Sequence, residues 1–88
     1  MKDQCLERFD TTLRKLVLNE NSNQLMKWGI QCRSPFEWLA YLTEEVGELA
    51  NALSEHIYRQ GTKPEIVKEA IQVATLALKI AEMNLTRE

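Results

Sequence analysis

The chain has 88 residues, of which 44% are hydrophobic and 27% charged, and its 11 Lys and Arg against 13 Asp and Glu give a formal net charge of −2. This composition is typical of one small globular domain, here residues 1–88, and excludes a disordered segment. The near balance of charge argues against a nucleic-acid or acidic-membrane partner, because both require clustered positive charge. No apolar run approaches the roughly 20 residues of a membrane span, and the polar first residues do not resemble a signal peptide. We therefore expect a cytoplasmic protein.

Two cysteines, Cys5 and Cys32, are too few and too widely spaced for a disulfide framework or a zinc knuckle. We expect both to be reduced, half-buried thiols. A domain this short buries only about 60% of its unfolded surface and is marginally stable alone. A helical domain of this size is therefore expected to complete its core by oligomerising.

The first predicted helix runs from Asp3 to about Leu18. The polar run Asn19–Asn23 is expected to weaken or end it, and a short helical turn resumes over Gln24–Trp28 before Gly29. The prediction rests on apolar residues at near-helical spacing, which are Cys5, Leu6, Phe9, Leu13, Leu16 and Val17.

The second predicted helix begins at a capping box, Ser34-Pro35-Phe36-Glu37, in which Ser is the cap, Pro the first helical residue and Glu the third. It runs to about Arg59, and Gly61 is expected to stop it. Its apolar residues form one stripe, which is typical of a bundle helix that faces a core. They are Leu39, Leu42, Val46, Leu49, Leu53 and Ile57.

The third predicted helix begins at a second cap-like sequence, Thr62-Lys63-Pro64-Glu65, and continues to about Leu85. Apolar residues between Ile66 and Met83 cover well over half of its circumference, so it must be buried on more than one side. Three helices from one short chain cannot cover it. We therefore predict an all-α fold with three main helices per chain, in a helical bundle completed by homodimerisation.

Two acids on the second predicted helix flank its apolar stripe. Glu45 and Glu48 are three residues apart, so they lie on one face about one turn apart, whereas Glu44 is turned away. Gly47, between them, costs about 1 kcal/mol of helix stability relative to alanine, and would let another helix or a ligand approach closely. A solvated acidic surface is the alternative interpretation of these three acids.

The third predicted helix carries Glu69 in the middle of an apolar face, where an unpaired carboxylate is costly. Glu65 and Gln72 lie beside it. If the second and third helices pack antiparallel through a short turn, their acids face each other, and such clusters suit hard cations such as Mg²⁺. The alternative is that Glu69 pairs with a lysine across the bundle.

Two stretches of the chain resemble the MazG-like, all-α nucleoside triphosphate pyrophosphatases: KWGIQCRSPFEWLAYLTEEVGELANAL and, after it, KEAIQVATLALKIAE. The resemblance covers about Gln24 to Met83. The family's signature is Glu-x-x-Glu on one helix and Glu-x-x-Asp on the next. The first pair falls on Glu45 and Glu48, and the second begins at Glu69. Its last position falls on Gln72, which departs from the pattern.

The resemblance implies a single MazG-like domain that forms a homodimer or a tetramer and binds Mg²⁺, with Mn²⁺ as an alternative. It implies hydrolysis of a ribo- or deoxyribonucleoside triphosphate to the monophosphate and pyrophosphate, acting on modified or excess nucleotides among others, with Glu45, Glu48 and Glu69 as catalytic residues. Metal ions neutralise triphosphate charge and ready a water for in-line attack. The same three acids are the implied metal ligands. The amide oxygen of Gln72 can also ligate a metal but carries no charge to offset Mg²⁺, and Glu65 is a candidate to supply the missing carboxylate.

Substrate recognition has several candidates. Trp28, Phe36, Trp38 and Tyr41 cluster around the start of the second helix, where core packing is the ordinary role and stacking on a base is the functional one. Trp28 is the first candidate because it borders a loop. Basic candidates for substrate binding are Lys27, Lys79 and Arg59, although exposed basic residues are usually solvated surface. His56 is assigned no role.

Two other functions remain open on the sequence alone. One is a non-catalytic member of the family that binds nucleotide or metal, which the neutral Gln72 favours. The other is a plain helical dimerisation module whose acids are solvated. Metal binding separates the dimerisation module from the enzyme and the non-catalytic member, and turnover separates those two from each other.

Overall fold

The structure is a computed structural model that describes Gln4 and residues 11–85. It contains three α-helices, α1 (Thr12–Trp28), α2 (Pro35–Tyr58) and α3 (Lys63–Met83), and no β-strand among the residues described. The prediction of an all-α fold with three helices is confirmed. None of these helices has both the length and the apolar character needed to cross a membrane.

Helix α1 passes without a break through the polar run Asn19–Asn23, so the expected end there is wrong. Asn and Ser are only weakly unfavourable in a helix, and the Gln24 side chain donates a hydrogen bond to Glu20 one turn earlier, at 2.7 Å. The helix ends at Gly29, whose φ of 69° suits a residue without a Cβ. The predicted start at Asp3 lies outside the described residues, as do Cys5, Leu6 and Phe9.

Helix α2 begins at the predicted capping box. The Glu37 N–H donates to Ser34 Oγ at 3.3 Å, and the Ser34 N–H donates to Glu37 Oε1 at 3.1 Å. The backbone hydrogen bond from Ser34 is the main cause that lowers the pKa of Glu37. Two donors at the end of the helix are satisfied in this way, which fixes where α2 starts.

The connection between α2 and α3 corrects the role predicted for Gly61. Helix α2 ends at Tyr58, and Gln60 rather than glycine adopts the positive φ, at 59°. Gly61 matters for close approach instead, because a Cβ there would lie 2.9 Å from the Cβ of Glu55. The Gly61 N–H donates to the Glu55 carbonyl at 2.8 Å, and His56 Nδ1 lies 2.8 Å from the Gly61 carbonyl.

Helix α3 starts at the predicted place, with Pro64 in its first turn, but the side chain of Thr62 makes no capping hydrogen bond. It ends at Met83, two residues before the predicted Leu85. Asn84 follows the last helical residue and its side-chain amide donates to the Ile80 carbonyl at 2.8 Å. That bond satisfies one of the carbonyls left free at the end of a helix.

The third helix is the centre of the fold. It packs against α2 and against α1, whereas α1 and α2 do not pack against each other within the described residues. Among the residues that the structure describes, Thr75 and Leu76 in the middle of α3 are the two buried ones, with 1% and 8% of their surface exposed. The Thr75 hydroxyl donates to the Ile71 carbonyl at 2.8 Å, so burial leaves it satisfied.

The apolar stripe of α2 is divided between a covered and an open half. Leu42 and Leu49 are half-buried, on the same side as Glu45. The other four members of the stripe remain exposed. The face of α2 that packs against α3 is therefore rotated away from the centre of the stripe. These open residues are Leu39, Val46, Leu53 and Ile57. Homodimerisation, which would cover them, stays a prediction.

Cys32 is a free, exposed thiol. The expectation that it is half-buried is therefore wrong, because it lies in the loop between α1 and α2 and not on a packed helix face. Cys5 lies outside the described residues.

Candidate functional site

Helices α2 and α3 bring three acids together. Carboxylate oxygens of Glu45, Glu48 and Glu69 lie within 4.8 Å of one another, and we call this group the acid cluster. Glu45 and Glu69 are half-buried and Glu48 is exposed. Glu44, the acid expected to point elsewhere, is exposed and is not in the cluster. The one-turn spacing on α2 and the short connection to α3 together produce the arrangement.

Proximity and partial burial make the cluster electrostatically unfavourable. Burial, followed by the charges of Glu48 and Glu69, raises the pKa of Glu45 above its ordinary value. Burial, followed by the charge of Glu48 and a hydrogen bond with it, raises the pKa of Glu69. Like charges at this distance oppose ionisation. A bound cation would offset that repulsion.

The cluster has no cationic partner in an ion pair within the described part of the chain. The ion pairs found there join Arg33 to Glu37, at 3.5 Å, and Arg59 to Glu55, at 2.9 Å, and both lie outside the cluster. The alternative in which Glu69 pairs with a lysine across the bundle therefore finds no support in these residues.

Gln72 faces the cluster as a hydrogen-bond donor. With its amide oriented to match its neighbours, Nε2 donates to Glu69 Oε2 at 3.0 Å and to Glu45 Oε2 at 3.3 Å. That orientation places donors against acceptors, which is how amide orientations are assigned. The side chain thus bridges the two half-buried acids and partly offsets their repulsion without carrying a charge.

Glu65 lies near the cluster without joining it. It is exposed and lines an open groove of about 460 Å³, together with Glu48 and Glu69 of the cluster and with Glu44 and Glu55. Gly47 also borders this groove, and a Cβ there would meet nothing within 4 Å. Close approach at Gly47 within this chain is therefore not the reason for the glycine.

A second cavity, of about 350 Å³, opens on the other side of the cluster, and we call it the aromatic pocket. Two residues that line the pocket also lie at the acid cluster. They are Glu45, which is a member of the cluster, and Gln72, which donates to it. The remaining lining residues divide into aromatic and polar ones, with Leu76 from the core of α3. They are Trp28, Trp38 and Tyr41, and Glu20, Gln24, Gln31, Arg33 and Lys79.

The aromatic candidates are partly brought together by the fold. Trp38 and Tyr41 meet edge to face, with ring centroids 6.3 Å apart and planes at 65°. The guanidinium of Arg33 lies 4.9 Å from the centre of the Tyr41 ring. Trp28 lines the same pocket and is exposed, so core packing does not account for it. Phe36 is 83% exposed and lies outside the pocket.

The basic candidates lie in three different places. Lys79 lines the aromatic pocket and donates to Gln24 Oε1 at 2.5 Å. Burial lowers the pKa of Lys79, and the charge of Glu20 acts in the opposite direction. Lys27 lies 4.9 Å over the ring of Trp28, a cation–π distance, and does not line the pocket. Arg59 is paired with Glu55 at the end of α2, away from the pocket.

Sequence reasoning identified Trp28 on α1 but missed the polar side chains that α1 and the loop after it contribute. Glu20, Gln24, Gln31 and Arg33 all line the aromatic pocket. The available signal was the four-residue spacing of Glu20 and Gln24, which is typical of neighbours on one helix face. The expected break in α1 at this point concealed it.

Comparison with protein-family models, with curated proteins and with solved structures gives no match to this chain. The fold and the site thus define the chain by their own features: a three-helix, all-α protein with a carboxylate cluster beside an aromatic pocket.

Proposed function

We propose that this chain is a Mg²⁺-dependent nucleoside triphosphate pyrophosphohydrolase that acts as a homo-oligomer. It would add one water across the bridge between the α- and β-phosphates and release a nucleoside monophosphate and pyrophosphate. The observation that carries the proposal is the acid cluster, in which two helices bring three carboxylates within 4.8 Å of one another. The resemblance of its sequence to the MazG-like pyrophosphatases adds support.

The donor set of the cluster fits a hard divalent cation. Carboxylate oxygens are the ligands Mg²⁺ prefers in proteins, and it is usually held by a few carboxylates together with waters and substrate phosphates. Glu45, Glu48 and Glu69 would hold the ion. When bound, it would neutralise phosphate charge and activate a water. Without a cation, burial and the neighbouring carboxylates raise the pKa values of Glu45 and Glu69.

The aromatic pocket supplies a place for the nucleoside beside the acids. Because Glu45 lines the pocket and also belongs to the cluster, a ligand in the pocket lies next to the carboxylates. Trp28 and Trp38 present ring surface to it, and aromatic rings stack on any base. The pocket residues thus bind and orient the nucleoside, while a cation held by the acids would position the phosphates.

The open half of the α2 stripe supports the oligomer. Leu39, Val46, Leu53 and Ile57 form a row of exposed apolar side chains on one helix. Exposed apolar surfaces often mark sites of interaction with another protein. The partner we propose is a second copy of α2 and α3.

Pyrophosphate release tests the enzymatic proposal. The protein is incubated with ATP, GTP, CTP, UTP and their deoxy forms, with Mg²⁺ or Mn²⁺, and the products are separated. We expect monophosphate and pyrophosphate in equal amounts, lost in Glu48→Gln and Glu69→Gln and retained in Glu44→Gln. Equal turnover in all three variants would show that the acid cluster is not the site.

A second candidate is a non-catalytic protein that binds nucleotide or metal. Gln72 favours it, because a neutral amide that donates to two of the acids stands where a fourth carboxylate is expected. Mg²⁺ binding that depends on Glu48 and Glu69, with no pyrophosphate from any triphosphate, would establish this alternative. A plain dimerisation module would show only weak, unselective metal binding.

A further inference from the structure

One end of the aromatic pocket is built by a polar link between α1 and α3 that no metal or phosphate role requires. Lys79 on α3 donates to Gln24 Oε1 at 2.5 Å, and Gln24 Nε2 donates to Glu20 at 2.7 Å. All three line the pocket. Gln72, at the acid end, and Lys79 are seven residues apart on one helix, which is about 10 Å along its axis. The pocket therefore has an acid end and a lysine end.

The lysine end is unsuited to phosphate. The carboxylate of Glu20 is close enough to influence Lys79, as its opposing effect on the lysine shows. A phosphate placed there would meet that negative charge. The acid cluster, which a divalent cation would neutralise, lies at the opposite end. A nucleotide with its phosphates at the cation therefore directs its base toward Lys79.

The hydrogen-bonding pattern at the lysine end selects the type of base. A lysine ammonium has three donors and no acceptor, and Gln24 accepts one of them. The remaining N–H groups require acceptors. A carbonyl at position 6 of a purine or position 4 of a pyrimidine satisfies them, whereas an exocyclic amino group there presents another donor. Glu20, the carboxylate at this end, accepts from Gln24 through Oε2. The group proposed to meet the base is the ammonium of Lys79, which can only donate.

We infer that the aromatic pocket recognises the keto bases, guanine or hypoxanthine and uracil or thymine, through Lys79 held by Gln24. This inference rests on the proposed function for its nucleotide ligand, but it concerns binding and not hydrolysis. Lys79 is then a specificity-determining residue. Gln24 and Glu20 fix the position of its ammonium.

Binding of nucleoside monophosphates tests the inference apart from turnover. GMP, UMP, AMP and CMP are titrated in the presence of Mg²⁺, with the fluorescence of Trp28 and Trp38 or calorimetry as the readout. We expect GMP and UMP to bind about tenfold more tightly than AMP and CMP, the scale of discrimination given by one well-placed contact to a base edge. In Lys79→Met the four dissociation constants should differ from one another by no more than about threefold. Lys79→Arg should keep the preference for GMP and UMP.

Lys15→Met is the matched control, because Lys15 is exposed on α1, outside the pocket, and its substitution removes the same charge. It should leave the preference unchanged. A keto preference without any triphosphate hydrolysis would refute the enzyme and sustain the inference. Equal binding of the four monophosphates by the parent chain, a preference for AMP and CMP, or no monophosphate binding would overturn the inference. An equal weakening of all four ligands in Lys79→Met would assign Lys79 to phosphate and overturn it as well.

Discussion

Gln72 on α3 donates a hydrogen bond to Glu45 on α2, with Nε2 and Oε2 3.3 Å apart, and so joins the two helices at the acid cluster. The same amide donates to Glu69 at 3.0 Å. A neutral donor thus holds two repelling carboxylates in place. Gln72 either stands in the position of a metal ligand or takes the place of a cation between the two carboxylates. Which of the two holds decides whether the site binds a metal ion strongly.

Substituting Gln72 by Asp removes both donors and adds a fourth carboxylate. Without metal, we expect the free energy of unfolding to fall by about 1–3 kcal/mol, the scale of hydrogen bonds to charged groups. With Mg²⁺, the added charge should raise the affinity by about tenfold, since a nearby opposite charge favours the bound cation. Chemical denaturation and Mg²⁺ titration measure the two effects.

Gln72→Asn is the matched control for that substitution, because it has the length of Asp and no charge. It should not raise the affinity for Mg²⁺. If instead Gln72→Asp changes little and Glu65→Gln abolishes metal binding, Glu65 is the fourth ligand. If neither substitution alters metal binding, the three acids are the whole site.

The raised pKa values of Glu45 and Glu69 predict a dependence of stability on pH. Both groups bind a proton more tightly in the folded chain than at their ordinary value of 4.5. Their contribution to stability is complete below that pH and is lost as the pH rises through the higher folded values. At pH 7 without metal, Glu45→Gln and Glu69→Gln should therefore each raise the Tm, by about 2–4 °C after allowance for solvent screening.

Thermal melts across pH 4 to 8 check this sign, with Glu44→Gln as the control outside the cluster. The amount by which the Tm of Glu45→Gln and Glu69→Gln exceeds that of the parent should shrink as the pH falls toward 4.5. Saturating Mg²⁺ should reverse it, since only the parent then gains binding energy. A constant Tm difference at every pH would contradict the proposed repulsion.

Gly61 and Gly47 offer a test of the connection between α2 and α3. Gly61→Ala places a Cβ 2.9 Å from the Cβ of Glu55 and 3.0 Å from its carbonyl carbon, so backbone must move. We expect a loss of about 1–3 kcal/mol, the usual cost of overpacking. Gly47→Ala meets nothing within 4 Å and should gain about 1 kcal/mol of helix stability.

Unfolding in urea compares the two alanine variants. A gain at Gly47 accompanied by loss of self-association would show that another copy approaches that glycine. A stable Gly61→Ala variant would show that the tight contact with Glu55 is not needed to close the turn.

The open half of the α2 stripe predicts the interface of the proposed oligomer. Val46→Lys and Leu53→Lys each place a charge on that surface, and we expect each to weaken self-association by about 30-fold, which corresponds to about 2 kcal/mol. Ser22→Lys, on an exposed position of α1, should have no effect. Sedimentation velocity at micromolar concentration measures the change, and a well-folded monomer of the parent chain would contradict the oligomer.

The number of helices and the location of the acid cluster could be predicted from the sequence because both depend on local signals. The capping box at Ser34 and Glu37 fixes the start of α2, and three-residue spacing places Glu45 and Glu48 together. The continuity of α1 through Asn19–Asn23 could not be predicted, since weak helix formers were expected to weaken or end the helix. The helical turn predicted over Gln24–Trp28 before Gly29 is present. A helix ends where the backbone must turn, here at Gly29.

Which half of the α2 stripe is covered depends on packing that periodicity does not encode. Leu42 and Val46 have equal claims to burial by spacing, yet only Leu42 lies on the covered side. The role of Gln72 was equally inaccessible, because an amide can donate or accept and only its neighbours decide which. Lys79 was identified as a basic candidate, but its partner Gln24 is 55 residues away.

Within the described residues α1 packs against α3 and not against α2, so α2 and α3 bring the acids together without a contact between α1 and α2. The acids belong to the hairpin of α2 and α3, whereas Gln24 and Glu20 belong to α1. Substitutions on α1 can thus alter the surroundings of Lys79 while α2 and α3 stay packed, and those that remove the charge of Glu20 also remove one cause of the raised pKa of Glu45. For protein engineering, α1 is the element on which substitutions can adjust the position of the Lys79 ammonium, while the lysine itself stays on the hairpin.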